Sequence, residues 1–326
     1  MGPMKAIRIT AFGGADVLKF QDLPTPAPGP GQALVRLAMA GINYRDVYER
    51  TGRYGGTPPM TAGAEGAGTV EAIGEGVTGI APGARVAFTS LLGAYAEYIV
   101  APADRLIPLP DDISFEIGAA FPLQAMTAHY LTHDYYHVTP GTTVLVHAAA
   151  GGVGLILVQM LKTMQARVIG TTSTEEKAKE VRAAGADEVV LYTKTNFVDA
   201  VKSLTNGNGV DLVLDGVGKT TFPGSLESVR TRGTVVLYGS ASGPADPFPP
   251  NSLQARSLTV AGGTLVNFIA THEELMRRAN DVLGLIRSGK LKLKIDRVLP
   301  LEQAAEAHRL IESRGTSGKL LLSISS

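Results

Sequence analysis

The chain of 326 residues contains no cysteine. This removes disulfides, thiolate nucleophiles and every zinc or iron–sulfur centre that needs cysteine ligands, and it says little about compartment. An excess of charge of one sign is missing too. Thirty basic residues balance thirty acidic ones and the pI is near 7.0, so nothing in the overall charge favours nucleic acid or an anionic membrane as a partner. No apolar run reaches membrane-spanning length. The N-terminus, Met1-Gly2-Pro3-Met4-Lys5-Ala6, has no apolar signal core, so a cytoplasmic protein is the expectation. Ala6 breaks the myristoylation pattern, and Met4 is a second candidate start. Internal repeats and low-complexity segments are not found. What is present is a chain 44% hydrophobic and 18% charged, hence folded, and long enough for two domains.

Roughly the first 110 residues are rich in Gly and Pro. Short apolar runs at 33–38, 66–73, 85–89 and 94–100 read as strands separated by turns such as Ala81-Pro82-Gly83, which predicts a small β-rich domain. The stretch 24–31 is too proline-rich for a regular element. A helix is expected over 119–130. Strands and helices then alternate: strand 142–148, helix 152–164, strand 167–170, helix 174–184, strand 188–191, helix 197–204, and strands 210–215 and 233–238. Such alternation is the mark of βαβ units and a doubly wound parallel sheet. Helix 273–288, a strand near 293–299, helix 302–313 and strand 319–324 follow.

The most informative run is Thr143-Val144-Leu145-Val146-His147-Ala148-Ala149-Ala150-Gly151-Gly152-Val153-Gly154. A buried strand leads into glycines and then a helix. Glycines allow a tight turn close to a pyrophosphate, and the helix N-terminus offers it N–H groups and a positive dipole end. Ala149 holds the first glycine position of the G-x-G-x-x-G fingerprint, so only Gly151-x-x-Gly154 remains. The bland alternative is a helix cap with small residues for packing. NAD binders place an acid about 20 residues further on. Here Gly170-Thr171-Thr172-Ser173 stands there without one. Those hydroxyls, with Lys177 beyond, suit a ribose 2′-phosphate, Lys177 supplying charge and Ser173 a hydrogen bond. Lys177 as a solvated helix lysine is the alternative, and Glu175 and Glu176 lie nearby.

At this point the residues resemble a known family. Ala148 to Gly154, followed by Gln159 and Lys162, resembles the zinc-free quinone oxidoreductase (zeta-crystallin-like) branch of the medium-chain dehydrogenase/reductase superfamily, across essentially the whole chain. Gly41-Ile42-Asn43-Tyr44-Arg45-Asp46, Gly63-Ala64-Glu65-Gly66-Ala67-Gly68, Pro82-Gly83-Ala84-Arg85-Val86, Gly93-Ala94-Tyr95-Ala96-Glu97-Tyr98, Ala304-x-x-Ala307-His308 and Gly318-Lys319-Leu320 fit its other motifs. The resemblance implies an α/β protein with a GroES-like β-rich catalytic domain (1–124 and 265–326) and an inserted Rossmann domain with a doubly wound parallel sheet (125–264). It implies a cleft that holds NADPH, and hydride transfer to a quinone or an activated C=C bond. It also implies a homodimer paired through an edge strand, for which 257–260 is the candidate. Carried over, Asn43 and Tyr54 line the nicotinamide end and Thr127 contacts it. Gly151, Gly152, Val153 and Gly154 hold the pyrophosphate, and Ser173 and Lys177 the 2′-phosphate. Tyr192 lies along the adenosine side. Gly239, Ser240 and Ser242 border the cofactor, and Thr264, Leu265 and Arg314 are further contacts. The pattern departs at Gln124, where relatives often carry lysine, and at Gly216-Val217, where asparagine or serine is often found.

Each residue has a plainer reading. Asn43 satisfies a turn, Tyr54 is a loop residue among glycines, Asp46 pairs with a neighbouring arginine, Tyr238 is core as readily as wall, and His147 is a packed neutral histidine. His129, His133 and His137 share a spacing of four, but the helix is expected to end there, leaving partly solvated histidines. Zinc-dependent cousins read G-H-E where this chain has Gly63-Ala64-Glu65, so no metal is expected. No proton donor is assigned. Rival readings are an alkenal or enone reductase, a 2-enoyl thioester reductase (Arg45, Arg50 and Arg53 being the local basic candidates), and a non-enzymatic NADPH-binding sensor or structural protein.

Overall fold

The structure, a computed structural model, describes residues 2–313 and 315–324. In chain order the elements are β1 (Pro3–Ile9), β2 (Leu18–Pro24), β3 (Gln32–Ile42), α1 (Tyr44–Arg50), β4 (Met60–Thr61), β5 (Glu65–Ile73), β6 (Arg85–Thr89), β7 (Tyr98–Pro102), β8 (Ile107–Pro108), α2 (Phe115–Ala120) and α3 (Pro122–His133). There follow β9 (Thr143–Val146), α4 (Gly152–Thr163), β10 (Arg167–Thr172), α5 (Glu175–Ala183), β11 (Glu188–Leu191), α6 (Phe197–Leu204), β12 (Val210–Asp215), α7 (Phe222–Ser228), β13 (Val229–Leu237) and β14 (Thr259–Gly262). The chain closes with α8 (Leu265–Phe268), α9 (His272–Arg287), β15 (Ile295–Pro300), α10 (Ala304–Glu312) and β16 (Lys319–Ser323). They form two compact units: residues 1–123, 269–280 and 293–326, and residues 124–268 and 281–292.

The first unit is mostly antiparallel. A three-stranded sheet runs β2-β1-β4, and a seven-stranded sheet runs β15-β16-β3-β5-β6-β8 with β7 also on β3. Strand β3 is its spine: Ala33, Leu34, Val35, Leu37, Ala40 and Ile42 are all buried, so both faces of the strand are covered. The expected strand 94–100 is shorter, with β7 beginning only at Tyr98. Residues 94–97 bond mainly to β1, with Ile7 N–H to Tyr95 O at 2.8 Å and Glu97 N–H to Lys5 O at 3.0 Å, while the Glu97 carbonyl still accepts from the Leu37 N–H of β3 at 2.8 Å. The helix expected over 119–130 is two helices. Pro122, which cannot donate a helical hydrogen bond, starts α3 at its first position, and Phe121 is the buried joint.

The second unit carries one six-stranded parallel sheet in the order β11-β10-β9-β12-β13-β14. The chain lays down β9, β10 and β11 outward in one direction, then returns to place β12, β13 and β14 on the other side of β9. The topological switch point therefore lies beyond the carboxyl ends of β9 and β12, where open α/β sheets bind ligands. Leu145, Ile169, Val213 and Val235 line up across the sheet as its buried core. Among the described residues no helix is long and apolar enough to cross a membrane.

Candidate active and cofactor site

Strand β9 delivers the predicted turn to the switch point. Val144, Leu145 and Val146 are fully buried, Ala148 takes a left-handed backbone (φ 49°), and Gly151 is the extended N-cap of the twelve-residue α4. A Cβ on Gly154 would lie 2.4 Å from the Ala148 carbonyl oxygen, and one on Gly152 2.3 Å from Gln124 Oε1. Gly154 is thus fixed by close packing against backbone, whereas Gly152 faces only the movable end of the Gln124 side chain. Gly151 meets only the Ala148 oxygen, at 3.2 Å, so its other side is open. Ala149 fits where the fingerprint has glycine because β10 supplies Gly170 opposite, whose own Cβ would stand 2.9 Å from that of Ala149. The first turn of α4 has no acidic residue, which leaves its N–H groups and positive dipole end to an anion.

The neighbouring strand ends assemble the rest. Thr171 and Thr172 at the end of β10 are buried, and the Thr171 hydroxyl sits 3.0 Å from His147 Nδ1. Of that turn's hydroxyls, Ser173 is the half-buried one. Thr174 caps α5 by accepting the Lys177 N–H at 3.3 Å, which puts half-buried Lys177 in the first turn beside it. Glu175 is held by Arg182 at 2.8 Å, and that bond keeps its carboxyl below the usual range. Tyr192 follows β11 with an exposed ring, its N–H on the Thr172 carbonyl at 3.1 Å. After β13, a Cβ on Gly239 would be 2.6 Å from the Gly216 carbonyl oxygen, and Ser242 donates to the Val217 carbonyl at 2.8 Å while accepting the Thr220 N–H at 3.1 Å. Ser240 lies between them. Exposed Thr264 and buried Leu265 follow β14, where Tyr135 donates to the Gly262 carbonyl at 2.6 Å. Thr127 is buried within α3 rather than at a strand end. Arg314 lies outside the described residues.

A buried polar network beneath these loops went unread in the sequence. Asp215 ends β12 and accepts from the Val217 and Gly218 N–H groups and the Thr221 hydroxyl at 2.8, 3.0 and 2.8 Å. Its other oxygen accepts from Ser225 at 2.8 Å, and Ser225 Oγ lies 3.1 Å from His147 Nε2. Burial holds His147 below the ordinary imidazole range, so it is the packed neutral histidine expected. Gly216 stands where asparagine or serine was looked for because the Tyr238 ring occupies the space: a Cβ there would meet it at 2.7 Å. Tyr238 is half-buried, and burial raises its hydroxyl pKa.

In the first unit, Asn43 is the extended N-cap of α1 and is buried. Its Nδ2 donates to Glu65 Oε2 at 2.7 Å and its Oδ1 accepts from Lys319 Nζ at 2.8 Å. Lys319 also pairs with Glu65, whose other oxygen accepts the Leu123 N–H at 2.6 Å. Asp46 does not pair with an arginine. Its Oδ2 accepts the Asn43 N–H and the Tyr95 hydroxyl, each at 2.8 Å. The arginines are engaged elsewhere, Arg45 with Glu49 and Arg50 with Glu312. Burial, then Glu49, raises the Asp46 carboxyl to about 7. Tyr54 is 59% exposed after α1, with its ring 5.6 Å from that of Tyr48 and under the Arg45 guanidinium at 5.7 Å.

Zinc does not fit these residues. The chain has no cysteine, Ala64 precedes Glu65, and among the described residues no three His, Asp or Glu side chains converge as a metal group. α3 ends at His133, so His137 is not on it. His129 is buried, not partly solvated: it stacks on His133 at 4.1 Å and approaches Asp281 at 3.4 Å.

Two family models match, the alcohol dehydrogenase GroES-like domain over residues 29–111 and the zinc-binding dehydrogenase domain over residues 152–281. A quinone oxidoreductase of Pseudomonas aeruginosa is 40% identical, with 98% of this chain and 99% of that one aligned. A 2-haloacrylate reductase of a Burkholderia species is 38% identical over 95% of this chain and 96% of that one. A mycobacterial protein solved in complex with NADPH superposes with a TM-score of 0.95 at 44% identity, covering 98% of this chain and 100% of the other. This chain belongs to the zinc-free quinone oxidoreductase family of the medium-chain dehydrogenase/reductase superfamily.

Proposed function

We propose that this chain is an NADPH-dependent quinone oxidoreductase that passes hydride to a quinone or an activated alkene. One observation carries the reading: β9 places the open face of Gly151, at the N-terminus of α4, at the switch point of the parallel sheet. Gly151, Gly152, Val153 and Gly154 hold the pyrophosphate. Ser173 and Lys177 hold the 2′-phosphate, and the absence of an acid at the end of β10 spares it repulsion. Tyr192 lies along the adenosine. Gly239, Ser240, Ser242, Thr264, Leu265 and Arg314 border the cofactor, while Thr127, Asn43 and Tyr54 serve the nicotinamide end. NADPH supplies the hydride when bound. The chain's part is to bind, orient and exclude water, and the acceptor's proton comes from water or a Tyr hydroxyl.

The domains of this reading are 1–124 with 265–326, and 125–264. The 2-haloacrylate reductase among the relatives supports activated alkenes as acceptors beside quinones. A cytoplasmic homodimer belongs to the same reading, paired through β14, the edge strand of the six-stranded sheet. Two assays on chelator-treated protein decide the matter: NADPH consumption over quinones, enones, 2-haloacrylates and enoyl thioesters, and NADPH formation from NADP+ with secondary alcohols. Quinones or activated alkenes turn over and alcohols do not, because alkoxide formation at an alcohol needs a Lewis acid that these residues cannot hold. Brisk alcohol oxidation by metal-free protein, or no reduction of any acceptor, defeats the proposal.

A further inference from the structure

Asn43, Glu65 and Lys319 close a triangle inside the first unit, and all three are at most 2% exposed. Gly41 makes the room: a Cβ there would lie 2.5 Å from Glu65 Oε2 and 2.9 Å from Lys319 Cε. Stability does not account for the ion pair. Charges withdrawn this far from water are no better than apolar side chains of the same volume. Capping does not account for it either: the Asn43 side chain accepts from the Asp46 backbone N–H at the head of α1, but a cap requires neither a buried carboxylate nor a buried ammonium on the amide. What the pair does fix is the amide. Its carbonyl must face the ammonium and its NH2 must face the carboxylate. A flipped amide would lose both bonds and set donor against donor and acceptor against acceptor.

We propose that the Glu65–Lys319 ion pair is a positioning device that locks the Asn43 amide in one orientation at the head of α1, ready for the reacting end of the site. The proposal rests on the reading of Asn43 as a nicotinamide-end residue. Preorganisation of this kind acts on turnover rather than on cofactor affinity.

Either single change strands a buried charge, so the test uses Glu65→Gln with Lys319→Met, which neutralises both at similar volume. The paired variant is expected to melt within a few degrees of wild type and to bind NADPH within about two-fold, while kcat falls about ten-fold. Asn43→Ala lowers kcat by a comparable factor in wild type and adds nothing in the paired variant. Wild-type kcat in the paired variant, or losses that multiply in the triple variant, overturn the proposal. Wild-type kcat in Asn43→Ala alone instead removes the reading of Asn43, and the proposal with it. One measurement needs no folded variant of the pair. In wild type labelled with 15N-asparagine, the Asn43 NH2 signals, assigned by their loss in Asn43→Ala, exchange slowly with water. Exchange as fast as that of an exposed asparagine refutes the lock.

Discussion

Replacing Asp46 by asparagine, or His308 by glutamine, is expected to tilt the pH dependence of stability in opposite directions. Both groups are buried beside Tyr95, whose hydroxyl donates to Asp46 and lies 3.4 Å from His308 Nε2. Burial, then Glu49, raises Asp46 from 3.8 to about 7, and burial, then Arg50, lowers His308 from 6.5 to about 3. Alone, a raised carboxyl favours the fold at low pH and loses that contribution as pH rises through its folded value. A lowered imidazole does the reverse, contributing above its ordinary value and losing that as pH falls. Proton counting joins the two. Between pH 3.8 and 6.5 the folded chain carries one proton on this pair, on Asp46, and the unfolded chain also carries one, on His308. The slopes cancel in wild type. Asp46→Asn leaves the histidine alone, so stability gains roughly 1.4 kcal/mol per pH unit as pH rises. His308→Gln leaves the acid alone, and stability falls by about that much. From pH 4.5 to 6.0 each variant's stability relative to wild type should move by about 2 kcal/mol, in opposite senses. Because the chain lacks tryptophan, urea unfolding followed by circular dichroism is the assay, and taking differences from wild type removes every other titration. If the gap between Asp46→Asn and wild type is the same at both pH values, Asp46 is ionised in the fold and the reasoning fails.

Two further changes probe the cofactor side. Lys177→Ala should weaken NADPH binding by about one to two decades, leave NADH nearly unchanged, and lose its effect at high salt, because a lysine–phosphate contact contributes roughly 1.5–3 kcal/mol and is screened. Titrating both cofactors into both proteins checks this, and equal loss for NADH and NADPH reduces Lys177 to a surface lysine. Gly154→Ala drives a methyl to 2.4 Å from the Ala148 carbonyl oxygen and should cost about 1–3 kcal/mol of stability, whereas Gly151→Ala, whose Cβ would stand 3.2 Å from the same oxygen, should cost clearly less stability yet lose dinucleotide affinity. Thermal melts with and without NADPH separate the two, and equal melting losses would mean that Gly151 is a packing glycine as well.

Much of the second unit was legible because its central strands are buried on both faces, although α7 was not read and β13 begins four residues before the expected strand. β11, α6 and β12 fall on the expected residues, and β9, α4 and α5 within one or two of them. The first unit was legible only in part: β6 falls on the expected residues and β5 and β16 within one of them, but β1, β2 and α1 were not read. β1 and β2 are an antiparallel pair with much of β2 exposed, so β2 has no apolar pattern to find. α1 is hidden because Tyr44 to Arg50 is polar. Of its buried ionisable groups, Glu49 pairs with Arg45 one turn away, but Asp46 meets Tyr95 and Arg50 meets Glu312, partners that no helical period announces, and Asp46 Oδ1 and Glu49 Oε2 are left without a hydrogen-bond partner. The same reason explains the misreading of Asp46. Local spacing favours the adjacent arginine, but the fold brings Tyr95 from a distant loop, and a buried acid is content with neutral donors while it holds its own proton.

The candidate site divides along the same line. Gly151 to Gly154 could be read because strand, turn and helix are contiguous, and backbone geometry alone makes the anion site. Asn43 could be named only through a motif, since its partners are Glu65, 22 residues on, and Lys319, 276 residues on. In the sequence Lys319 is an ordinary cation near the chain end and Glu65 an acid among glycines. Each acquires a role only when β16 pairs with β3 in the register that sets Leu320 opposite Ile42 and brings the lysine beside Asn43. Gly41 is the trace this leaves in the primary structure. A glycine inside a long buried strand weakens the strand unless something must approach its backbone closely. Here the Ala119 carbonyl oxygen, 2.2 Å from where a Cβ would stand, and the ion pair behind it both crowd the strand, so the glycine two residues before Asn43 is a local sign of close approach there.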